Sequence, residues 1–214
     1  MRLLGDPRLP IPEQSLGYLQ RLNARWYELW RGLTGVINPW VRNGWEDLRF
    51  PAQGINPAGT ANAPTIDTTT YPGTLLFSGT ADNHIAGVAQ LPHAWLEGSE
   101  LRPHVHWRKT TADGSGLAVG WELRYSISAI NAAPVAYTAW LAGTLAVGNL
   151  TALEHHNLTG FPAIPMTGYK GSTCLCWEMR RVGSTDAYGS SSRFLELDFH
   201  HQVGSSGSEQ EYPT

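Results

Sequence analysis

Charge is what this chain has least of. Only 15% of its 214 residues are charged, against about 25% in ordinary soluble domains. The net charge of −3 provides no basic field to attract nucleic acid or an anionic membrane. Cysteine is equally scarce, with only Cys174 and Cys176 present. On a strand these two would share a face about 6.5–7 Å apart, which is poor geometry for a disulfide. Two ligands are also too few for a structural zinc site. Buried free thiols are expected, in keeping with assembly in a reducing cytoplasm. No apolar run reaches the ~18 residues of a membrane span. In MRLLGDPRLP, prolines stand where a signal peptide would be apolar. Nucleic-acid binding, membrane insertion and a disulfide framework therefore drop out.

Glycine and tryptophan are abundant, at 23 and nine residues. Large rings, small residues and few charges suit an all-β chain with much of its surface buried against partners. Residues 1–14 read as an extended arm, because Pro7, Pro10 and Pro12 each fix φ and remove a backbone donor. Residues 15–37 read as an amphipathic helix with Ser15 as N-cap. Leu19, Leu22, Trp26, Leu29 and Leu33 recur at heptad spacing, which predicts a short helical bundle between identical chains. Fewer than three heptads cannot hold an oligomer alone, so the β region has to supply most of the interface. Residues 38–73 read as a connector, anchored by Trp40, Trp45 and Phe50 and then nearly uncharged.

Residues 74–204 read as a β domain. In LAVGWELRYSISA, residues 117–129, apolar and polar side chains alternate with a period of two, as on a strand with one buried face. Further strands are predicted at 74–78, 85–91, 104–109, 135–147, 173–181 and 194–203, separated by glycine- and proline-rich turns. Residues 205–214 form a polar tail. The fold class is mainly β: a jelly-roll-like, two-sheet antiparallel sandwich preceded by an N-terminal α-helix and an extended arm.

The segment QLPHAWLEGSELRPHVHW, Gln90 to Trp107, carries the chemistry most open to dispute. Gly98, His104 and His106 resemble the opening of the cupin metal motif, in which alternate strand positions aim two imidazoles at one ion. The glutamate expected shortly afterwards is replaced by Thr110 and Thr111. His155-His156 and His200-His201 lack the framework of the second motif. Val105 and Trp107 read as core-facing, which turns His104, His106 and Arg108 the other way. A polar ladder with Glu122 and Arg124 of the following strand is expected. Glu97 with Glu100, or Glu196 with Asp198, are conceivable glycosidase pairs, but spacing in space decides that chemistry. No catalytic, cofactor or metal residue is assigned.

The same segment, followed by Trp-Glu-Leu-x-Tyr at 121–125, resembles a family of tailed-bacteriophage structural proteins. The stretch from CLCWEMRR through FLELDFHHQVGSSGSEQEY resembles that family's closing pattern. The resemblance runs over about residues 45–212 and implies a non-enzymatic virion component, assembled in the host cytoplasm. Trimers are usual for such β-rich appendages. A homotrimeric short tail or neck fibre, or a spike, anchored by its N-terminus is the first expectation. Arg2, Leu3, Leu4, Pro7, Leu9 and Pro10 would then attach to other virion proteins of the tail or neck, and Leu19, Leu22, Trp26, Leu29 and Leu33 would hold the oligomer. Capsid decoration is the alternative. A cupin-like metal protein, or an appendage that binds or hydrolyses a host surface glycan, stands behind both.

Overall fold

The computed structural model describes residues 44–57, 62–112, 116–145 and 154–204, together with Trp26. The chain divides into two units, 1–42 and 43–214. In the first unit, Trp26 is helical and 62% exposed. The predicted arm, with Arg2, Leu3, Leu4, Pro7, Leu9 and Pro10, lies outside the described residues. So do Leu19, Leu22, Leu29 and Leu33 of the heptad seam and the 205–214 tail.

The second unit is an antiparallel two-sheet sandwich, as expected from the period-two segments. Its described strands are β1 (Trp45–Pro51), β2 (Thr65–Ile66), β3 (Leu75–Phe77), β4 (Asp82–Gln90), β5 (Arg102–Lys109), β6 (Trp121–Ser128), β7 (Leu141–Ala142), β8 (Thr144–Leu145), β9 (Asn157–Gly160), β10 (Cys174–Val182) and β11 (Ser192–Gln202). The larger sheet runs β2-β3-β11-β5-β9-β8, with β1 also paired to β11. The smaller sheet runs β4-β10-β6-β7. Consecutive strands repeatedly change sheet, β4 to β5 to β6 among them.

The core follows from the alternation. Leu123 and Ile127 of β6, Leu175 and Met179 of β10, and Val105 and Leu197 of the larger sheet point inward and are buried. Trp107, Trp121 and Trp177 fill the space between the sheets. Phe77 meets Trp121 edge-on at 5.0 Å, and Phe50 meets Trp177 at 5.2 Å. Burying each such large apolar side chain contributes about 1.5–3 kcal/mol.

The loop end of the sandwich is closed by buried charge. Arg181 faces inward from β10 and bonds Asp186 twice, at 2.8 and 3.0 Å. Its remaining donors reach the carbonyls of Phe77, Ser190 and Tyr188. Lys109 donates to the Leu117 carbonyl at 2.7 Å and lies over the Tyr188 ring.

Several expectations need correction. The 38–73 connector contains β1, which pairs with β11 along its whole length. Residues 62–73 of the same connector are fastened to their own domain. The Asp67 carboxylate accepts the backbone N–H groups of Thr69, Thr70 and Tyr71 and an ion pair from Arg193. Arg193 is held from its other side by Glu154 at 3.1 Å. The single strand predicted at 135–147 is two short ones, one in each sheet. Gly143 marks the crossing, where an added Cβ would stand 2.6 Å from the Thr159 side chain. The cysteines are free, as expected, but only half buried. They lie on the outward positions of β10, alternating with buried Leu175 and Trp177.

Candidate functional site

The pleat of β5 sorts its side chains. Val105 and Trp107 enter the core, and His104, His106 and Arg108 take the outward face. That half of the expected ladder holds. Its partners do not, because β6 belongs to the other sheet. The neighbours of β5 are β11 and β9, with Asp198 opposite His104 and Glu196 opposite His106.

The outward face of the larger sheet therefore gathers histidines around one carboxylate. His106 Nε2 stands 3.2 Å from Asp198 Oδ2, and His104 Nε2 stands 3.7 Å from the same oxygen. His106 Nδ1 is 2.6 Å from His156 Nε2. The His104 ring lies 4.4 Å from that of His200, which is held by Asp47 at 2.6 Å. Both His104 and Asp198 are buried. Asp198 Oδ1 has no hydrogen-bond partner among the described residues. Arg49, opposite Asp198 on β1, directs its guanidinium to Glu196 at 2.6 and 3.1 Å. Burial, reinforced by His106 and His200, pushes the His104 imidazole below its ordinary pKa. Burial with His106 and Arg108 does the same to His156.

A hollow of about 430 Å³ opens beside this cluster, lined by Arg102, His104, Leu158, Gly160, Phe161 and His200 among others. Gly160 faces His104 across the β5–β9 pair, and nothing lies within 4 Å of where its Cβ would be. The missing side chain keeps the approach to His104 open.

Glu122 and Arg124 form a separate ladder on the outward face of the smaller sheet. Arg124 bonds Glu178 at 2.6 Å, and Arg180 bonds Glu122 at 2.8 Å. Trp140 packs against both guanidinium groups, at 4.6 and 4.3 Å. Arg108, expected in the ladder, lies over the Tyr71 ring at 5.3 Å. Of the conceivable glycosidase pairs, Glu100 is bound to Arg102 and Glu97 accepts the Gly171 N–H. Glu196 and Asp198 share one face, the former held by Arg49 and the latter by the histidines.

Sequence reasoning missed Asp198, His156 and His200 as companions of His104 and His106. The available signal was the outward parity of Asp198 and His200 within LELDFH. Linking them to β5 required a pairing that spans about ninety residues of chain.

No protein-family profile and no curated protein matches the chain. Among solved structures, it is similar to dimeric latent PorU from Porphyromonas gingivalis, at 12% identity and TM-score 0.35, over 76% of this chain and 13% of that one. It is also similar to arabinose-bound MgGH51 α-L-arabinofuranosidase, at 11% identity and TM-score 0.31, over 72% of this chain and 22% of that one. The chain thus spans less than a quarter of either protein. Likeness at this level carries no functional argument.

Proposed function

We propose that the chain is a non-enzymatic structural component of a tailed-phage virion: a homotrimeric short tail or neck fibre, or spike, held by its N-terminal arm. One observation carries this reading. Strands β5 and β11, which carry parts of the two segments that resemble the family, are neighbours at the middle of the larger sheet. Within those two segments Leu91, Trp95, Leu101, Val105, Trp107, Phe194, Leu197 and Phe199 are buried. The shared pattern is thus a scaffold pattern, and a scaffold protein would keep it.

Exposed apolar side chains on the β domain agree with burial against neighbours in an assembly. Val88 is 60% exposed, Ile66 55% and Val135 51%. A capsid-decoration role is the second reading. A 38–73 connector laid across a neighbouring subunit would suit it. The Asp67–Arg193 ion pair instead binds that connector to its own domain, which favours the fibre.

Light scattering on the full-length protein tests the reading. A trimer that dissociates in the double variant Trp26→Asp, Leu29→Asp supports an N-terminal bundle. A monomeric wild-type chain would reject the trimeric fibre. Failure of the labelled protein to be incorporated into phage particles would reject the virion role itself.

A further inference from the structure

We infer that His104, His106 and Asp198 form a binding site for one divalent transition-metal ion of the zinc class, bridging β5 to β11. This site is independent of the virion reading and stands or falls separately.

Three observations point to a ligand set. First, one ring nitrogen from each histidine and one carboxylate oxygen converge, all within 4.8 Å of one another. Tetrahedral donors bound at about 2.1 Å stand about 3.4 Å apart, so loading draws the widest pair together by roughly 1.4 Å. Rotation of the three side chains, which stand on the paired strands β5 and β11, would supply that closure.

Second, the outer hydrogen bond of His106 is that of a metal-binding imidazole. A ligating histidine typically fixes its second nitrogen on a carbonyl or another polar group. His106 uses Nδ1 for His156 at 2.6 Å. Both His104 and His106 present Nε2 to the same Asp198 oxygen.

Third, Asp198 is incomplete. Its side chain is 3% exposed, and Oδ1 is buried without a hydrogen-bond partner among the described residues. A buried carboxylate with unmet lone pairs is costly. The arginine on the adjacent strand is already bonded to Glu196. A cation at the triad would supply the missing charge.

Two imidazoles and one carboxylate favour Zn²⁺, Co²⁺ or Ni²⁺ over Ca²⁺ or Mg²⁺, which prefer all-oxygen sites. Three protein ligands leave a fourth position for water or a small anion. His104 borders both the triad and the Gly160 hollow, which gives the ion a route from solvent.

The test uses the untagged full-length chain, stripped with chelator and titrated with Zn²⁺ by calorimetry. One ion per chain is expected. Asp198→Asn and His106→Gln should each raise Kd by more than about 100-fold, beyond the 10- to 100-fold usual for losing an outer hydrogen-bond partner. His156→Gln should fall within that smaller range. His93→Gln, whose ring bonds Ser172 elsewhere on the surface, should leave Kd unchanged. Asp198→Asn preserves the side-chain shape and decides the matter if a histidine variant fails to fold. A wild-type chain that takes up none of the three ions at millimolar concentration would overturn the site. So would uptake undiminished by Asp198→Asn and His106→Gln.

Discussion

Asp186 and Asp198 are equally deep, each with a side chain 3% exposed, but their surroundings are opposites. Asp186 takes a two-pronged bond from Arg181 and the backbone N–H groups of Gly120 and Tyr188. Asp198 meets two histidines through one oxygen, and the other has no hydrogen-bond partner among the described residues. Burying a carboxylate is tolerable when charge and lone pairs are both matched. The loop end around Asp186 meets that condition from its own residues and reads as scaffold. The sheet face around Asp198 does not, and reads as a place where something from outside completes the chemistry.

The contrast can be broken most severely at Arg181. Replacing it with methionine leaves Asp186 buried without its cation, at a cost of about 3–5 kcal/mol, to be read from urea unfolding monitored by tryptophan fluorescence. Asp67 offers a second fully matched carboxylate and adds a pH signature. Its backbone bonds to the Thr69, Tyr71 and Thr70 N–H groups and its pairing with Arg193 hold its pKa far below the ordinary carboxylate value. A depressed folded pKa contributes stability above the unfolded value of about 3.9, and that contribution is lost as pH falls toward the folded pKa. Asp67→Asn should therefore lower Tm at pH 7, with a gap to wild type that narrows on acidification below pH ~4. A gap that stays constant with pH would contradict the assignment.

Milder effects sharpen the comparison. Trp140→Ala removes the ring beneath two partly exposed cations and should cost about 1 kcal/mol, measured by the same urea titration. The smallest change is expected where the carboxylate is least satisfied. In chelator-treated protein, Asp198→Asn should lie within about 1 kcal/mol of wild type, because removing an imperfectly paired buried charge is often nearly neutral. A loss as large as that of Arg181→Met would mean Asp198 belongs with the scaffold.

Much of this architecture was legible from alternation. The inward set of β6, with Trp121, Leu123 and Ile127, and the outward turn of His104 and His106 follow from a period of two. β1 escaped because WEDLRFP places a tryptophan outward, so its large residues do not trace one face. Leu48 and Phe50, alternating with Asp47 and Arg49, were the usable signal. β11 contains a register shift between Phe194 and Glu196, which displaces Leu195 from the apolar face its sequence period suggests. The ladder from His104 to Glu122 failed for a topological reason. Strands adjacent in the chain usually pair, but here β5 and β6 lie in different sheets. No local pattern records which distant strand takes the vacant place, so Asp198 could be seen as outward-facing but not as the neighbour of His104.

Strand β11 also imposes an order on biosynthesis. It joins β5 on one side to β1 and β3 on the other, and it is the last described strand along the chain. A ribosome releases β1, β3 and β5 long before the strand that unites them. Until residues 192–202 emerge, the larger sheet has no centre, and strands such as β5, with the core residues Val105 and Trp107, wait with an open edge. Pairings of this sequence separation make folding slow and expose the growing chain to wrong partners. Nascent copies on one message are therefore most vulnerable to association with one another just before β11 appears.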